Sequence, residues 1–192
     1  RQPITIRDTL FGDMPLSEWA KDDNASAEPW ISFVKAKKLL EKKDKSSAAA
    51  LLQKITEMPG LESRHYLQAW HFLRQIGVNP PADKAKIVYG VVVEVGMKNG
   101  ADIIAAYADY TARYLNYSGS GVVWERPDQS LDAKIKDLLD AGQQVLRDGE
   151  RPKLVAELHD KTRWCLNATN CALLESILGT DECWELFRTH EV

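Results

Sequence analysis

The sequence predicts an α+β fold: an N-terminal helical segment followed by an antiparallel β-meander of four or five strands covered by helices. Three observations predict it. Apolar side chains recur every three or four positions between Trp30 and Ile76, which is the helical period. From Ile87 to Met97 the period falls to two, which is the strand period. The turn sequences Asn99-Gly100 and Ser118-Gly119-Ser120-Gly121 follow closely, spaced as in a run of hairpins. The change of period divides the chain into an arm with a helical segment, residues 1–83, and a sheet with its covering helices, residues 84–192. The two are expected to pack as one compact unit.

The elements follow in order. Residues 1–29 hold Pro3, Pro15 and Pro29 and the acidic pair Asp22-Asp23, and read as an extended arm packing through Leu10, Phe11, Leu16 and Trp19. Trp30, Phe33, Val34 and Leu40 share one side of a first helix. Ala48, Leu51, Leu52 and Ile55 share one face of a second, which stops at Met58-Pro59-Gly60. Tyr66, Ala69, Trp70, Leu73 and Ile76 define a third, closed by Gly77 with Pro80-Pro81 beyond. The strands are then 87–97, 101–108, 111–117 and 122–125. After Pro127, Leu131, Ile135, Leu138, Leu139, Gly142, Val145 and Leu146 give an amphipathic helix ending at Gly149 and Pro152. "KLVAEL" and "TRWCLNAT" read as one or two further strands, and "TDECWELFRTH" as a final helix with Thr180 as N-cap.

Totals exclude several classes. With 25 basic and 28 acidic side chains the net charge is −3, so bulk charge predicts no nucleic-acid partner and no membrane surface. No window approaches the roughly 18 unbroken apolar residues of a membrane span. The three cysteines, Cys165, Cys171 and Cys183, are odd in number and irregular in spacing, which argues against a disulfide framework. "RQPITIRD" has no apolar stretch after its charge, so a cytoplasmic protein is expected. Asn24, Asn116 and Asn167 head glycosylation triplets, a pattern that arises easily by chance.

The hairpins allow a register to be derived. With Asn99-Gly100 as a two-residue turn, Lys98 faces Ala101 and Val95 faces Ile104. With Asp109-Tyr110 as a second such turn, Ala106 faces Arg113 and Ala105 faces Tyr114. Arg113 then lies among Val93, Val95, Ile104 and Ala106, while Glu94, Tyr107, Ala112 and Tyr114 lie on the other face. A three-residue second turn would exchange the faces of the later strands. An arginine on an apolar face requires a partner. One reading is contact with an anion or carboxylate in a pocket, with Tyr107, Tyr114 and Asp109 around it. The other is a guanidinium snorkelling at the sheet edge or paired with Asp109 or Asp102. Glu94 and Tyr114 are expected to form a cross-strand hydrogen bond. The alanines at 101, 105, 106, 108 and 112 predict close packing by the helix of residues 131–148.

Other constellations are weak. Glu62-x-x-His65 is half of a carboxylate-bridged di-iron motif with no second half, and reads as a solvated helix face. His159, His190 and the cysteines lack a paired knuckle, so no metal is expected. Lys35, Lys37, Lys38, Lys42, Lys43 and Lys45 read as the wet face of a helix. There is no P-loop, Rossmann fingerprint, G-x-S-x-G or H-E-x-x-H, so no cofactor and no catalytic residue is expected.

"LFGDMPLSEW" and "GVVVEVGMKNGADIIAAYADYTARYLNYSGSGVVWE" resemble a group of uncharacterised bacterial proteins that share an early LFGD and a hairpin core running through AAYAD, ARY and VVWE. The resemblance covers about a quarter of the chain. It implies a bacterial origin and a cytoplasmic setting, and carries no catalytic residue over. Without a catalytic constellation, and with six tryptophans, the expected function is a non-catalytic binding or adaptor protein using a sheet face or the helical surface to hold another protein. The alternatives are a small-molecule sensor or enzyme with Arg113 in a pocket, and an immunity-type inhibitor of a toxin.

Overall fold

The computed structural model describes residues 6–97 and 100–147 of the chain. The fold is α+β, and the chain divides into two compact units, residues 1–85 and 86–192.

The first unit is helical: α1 (Ile6–Phe11), α2 (Leu16–Trp19), α3 (Trp30–Glu41), α4 (Lys45–Glu57) and α5 (Ser63–Gln75). α3 packs on α4 and α4 on α5, while α1 returns to α5 and α2 lies on α3. Phe33, Ala36, Ala48, Leu52, Ile55, Ala69, Phe72 and Leu73 form a closed apolar centre. The N-terminal arm is therefore not extended. Two of its prolines stand where helices begin: Pro15 immediately precedes α2 and Pro29 immediately precedes α3. Proline is tolerated there because the first helical N–H groups have no partner within the helix.

Three helices end in the same way. In α3 the Lys43 N–H donates to Leu40 O and the Asp44 N–H to Leu39 O, around Lys43 at φ 63°. In α5 the Gly77 N–H donates to Arg74 O and the Val78 N–H to Leu73 O, around Gly77 at φ 92°. In α1 the Asp13 N–H donates to Asp8 O, around Gly12 at φ 69°. These are Schellman-type ends, which satisfy carbonyls left over at the last turn. Gly12 is constrained further, since a Cβ there would lie 2.8 Å from Leu67 Cβ. The arm is fastened by Gln68, which is fully buried. Its Nε2 donates to Met14 O at 2.7 Å, and its Oε1 accepts from Met14 N at 3.2 Å.

The second unit carries an antiparallel sheet in the order β1-β2-β3-β4: β1 (Gly90–Met97), β2 (Gly100–Tyr107), β3 (Ala112–Leu115) and β4 (Gly121–Trp124), followed by α6 (Asp132–Arg147). Met97 pairs with Gly100 and Val93 with Ile104. The first hairpin is thus shifted two residues from the expected pairing, which leaves its faces unchanged. The second hairpin departs more. Ala106 pairs with Ala112 and Ala105 with Arg113, so Ala108, Asp109 and Tyr110 form a three-residue turn. The Tyr110 N–H donates to Tyr107 O, Tyr110 takes φ 65°, and Asp109 Oδ1 accepts from Thr111 N and Oγ1. A turn followed by one left-handed residue matches strand twist and adds one residue to the loop. The third turn repeats it with Gly119 at φ 94°, and Asn116 Oδ1 accepts from Ser118 N, Ser118 Oγ and Ser120 N.

The faces of β3 and β4 are therefore exchanged relative to expectation. Val91, Val93, Ile104, Ala106, Ala112, Tyr114 and Trp124 share one face. Leu131, Ile135 and Leu138 pack against Ala106, Ala112 and Trp124 there. Close packing by this helix over small residues holds at Ala106 and Ala112. Ala105 is buried on the opposite face and Ala108 is an exposed turn residue. Gly142 allows α6 to approach, because a Cβ there would lie 2.7 Å from Val91 Cγ2. Among the described residues no helix is long and apolar enough to cross a membrane. The expected fifth strand, the final helix, the cysteines, His159, His190 and Asn167 lie outside the described residues.

Candidate functional site

Arg113 projects from the face opposite α6, beside Ala105 and Val123, and is 8% exposed. Its Nη1 donates to Ala112 O at 2.8 Å and Trp124 O at 3.2 Å. Its Nη2 meets Glu125 Oε1 at 2.6 Å. The partner is Glu125 rather than Asp109 or Asp102, and two strand carbonyls complete the set. Because the preceding turn has three residues rather than two, Arg113 lies on the face opposite the one expected.

The residues grouped with Arg113 do not converge on it. Tyr107 is fully buried on the Arg113 face and lies across the first hairpin, where a Cβ on Gly90 would approach its Cδ1 to 2.7 Å. Tyr114 is on the α6 face, and its hydroxyl donates to Asp102 Oδ2 at 2.8 Å. Asp102, 5% exposed, also accepts from Tyr117 N at 2.9 Å. Asp109 is committed to Thr111. Tyr114 is in register with Ile104, whereas Glu94 pairs with Ile103, so the register sets Glu94 and Tyr114 on opposite faces. Among the described residues no group of three His, Cys, Asp or Glu could hold a metal ion.

A recess lies in the helical unit instead. It has a volume of about 430 Å³ and is lined by Glu18, Trp19, Ala20, Lys21, Asp22, Ala25, Ser26, Ala27, Trp30 and Val34. Residues 20–29 form one wall, between α2 and α3. The indoles of Trp19 and Trp30 stand 5.2 Å apart between centroids, tilted by 39°. His65 supports both: it is 7% exposed, 5.9 Å from Trp19 and 5.2 Å from Trp30, with its ring steeply inclined to each. The expectation of a solvated His65 is thus overturned. Its helix turns that position inward against two aromatics the sequence spacing does not connect.

Ion pairs pin the wall. Lys37, expected on the wet face of its helix, has a side chain only 15% exposed. Its Nζ donates to Ala20 O at 2.7 Å and pairs with Asp23 at 2.8 Å. That hydrogen bond, and then the charge of Lys37, hold the Asp23 carboxyl below its ordinary pKa. Burial pushes Glu28 up, but hydrogen bonds from Ser32 and Lys54 more than offset it and leave Glu28 below its ordinary pKa. Within the lining, Lys21 pairs with Glu18 at 2.9 Å. Asp22 accepts one N–H, from Asn24, and pairs with no cation among the described residues.

The chain matches no protein-family model, no curated protein and no solved structure. The recess was not anticipated. The available signal was two tryptophans flanking the short polar run "AKDDNASAEP".

Proposed function

We propose that this protein is a non-catalytic binding module, and that the Trp19–Trp30 recess of its helical unit seats a compact group of its ligand. One observation carries the reading: a preformed concavity, lined in part by two half-buried indoles, with a wall tied down at Lys37–Asp23 and Lys54–Glu28. Its volume falls in the range typical of ligand pockets, roughly 300–1,000 Å³, and pinned walls reduce the ordering cost of binding. Tryptophan adds large contact area for little lost rotamer freedom. The sheet gives less support, because the guanidinium of Arg113 is occupied by two carbonyls and a carboxylate.

The test is a titration of intrinsic tryptophan fluorescence with compact alkyl and alkylammonium fragments, repeated on Ser26→Phe. Ser26 lines the recess and is exposed, so a phenyl group there fills the space without disturbing the core. The expected result is a saturable change in the parent protein and none in Ser26→Phe. No saturable change with any fragment overturns the proposal.

A further inference from the structure

The chemistry of the lining points to one ligand class, and this step rests on the recess being a binding site. We infer that the recess takes an alkylated ammonium group, free or on the side chain of a partner protein. Three observations converge. The lining includes two indoles, and tryptophan is the aromatic side chain that attracts a cation most strongly when the cation lies over its face. The rim carries Asp22, which is exposed, held by the Asn24 N–H and joined to no cation among the described residues. The lining's other carboxylate, Glu18, is matched by Lys21, so the lining as a whole carries one excess negative charge. Asp23 and Glu28 beside the wall are matched by Lys37 and Lys54, so they leave that one excess charge unaltered.

Charge alone would accept any cation. The apolar side chains Trp19, Ala25, Ala27, Trp30 and Val34 favour one whose charge is wrapped in carbon. A small ammonium or metal ion must shed a tight hydration shell to enter, whereas a quaternary ammonium carries methyl groups that gain from burial. Quaternary ammonium recognition by aromatic side chains exploits this balance.

The experiment compares choline with its uncharged isostere, the alcohol in which a quaternary carbon replaces the nitrogen. Binding is read by tryptophan fluorescence and calorimetry on the full chain. Choline is expected to bind at least about fivefold more tightly than the isostere. Asp22→Asn is expected to remove much of that preference while leaving isostere binding unchanged. A short peptide bearing trimethyl-lysine distinguishes a protein side chain from a free ligand: tighter binding than choline assigns the site to a protein partner, and weaker binding assigns it to a small molecule. Equal binding of choline and isostere overturns this inference and leaves the binding module standing. Binding of neither overturns both.

Discussion

Gln68 and Arg113 show how one polar side chain can organise a unit. Gln68 gives a backbone segment both a donor and an acceptor, so Gln68→Leu would leave Met14 N and O without these partners. An expected loss of about 1–3 kcal/mol follows, measurable by urea unfolding. Arg113→Met removes hydrogen bonds to two carbonyls and should cost a similar amount. Glu125→Gln should cost less than Arg113→Met, because Glu125 is 60% exposed, a glutamine oxygen can still accept from Nη2, and the two carbonyl bonds remain. Equal losses for Arg113→Met and Glu125→Gln would contradict this division. His71 supplies a pH dependence. Burial, partly opposed by Asp13 and reinforced by Arg74, lowers its pKa below the ordinary 6.5. The folded state therefore binds a proton less readily than the unfolded state. The contribution of His71 is complete above 6.5 and is lost as pH falls from there through its lower folded-state pKa. Thermal melts from neutral to mildly acid pH should show a smaller acid loss for His71→Gln. At this scale the sequence was least informative. His65 and Gln68 carry no apolar label, so a periodicity argument places both outside although the fold buries them.

Helices and strands were the most legible level. α3, α4 and α5 begin and end within a few residues of where apolar spacing and the Gly77 stop signal place them, and α6 begins where expected. The hairpins were legible as hairpins, but their turn lengths were not. Asp109-Tyr110 reads as the centre of a two-residue turn, and the decisive feature is the left-handed conformation of Tyr110, which no local rule assigns to tyrosine. One residue in a loop then decided which face Arg113 occupies. The arm was misread because proline lowers helix propensity in the middle of a helix and not at its start. Lys43 offers a test at this level. It holds the left-handed position that usually falls to glycine and is exposed. Lys43→Gly should therefore stabilise the protein by up to about 1 kcal/mol, read as a higher urea midpoint with an unchanged slope.

The molecule as a whole joins a unit of local helical contacts to a unit of hairpins. The α+β class was readable because each unit has its own hydrophobic period. The recess was not, because a concavity depends on how an irregular ten-residue wall folds back, and periodicity carries no information about that. The arm is a different kind of structure from the helices it rests on. α3, α4 and α5 pack with sequence neighbours, whereas the bonds from Gln68 to Met14 close a span of 54 residues. Closure of so long a loop is entropically costly, so the arm should dock late in folding and detach early. Amide hydrogens of α1 and α2 should then exchange through local opening, well before those of α5. Trp19 belongs to this detachable piece, so a ligand in the recess would slow exchange throughout the arm, a protection visible far beyond the residues it touches.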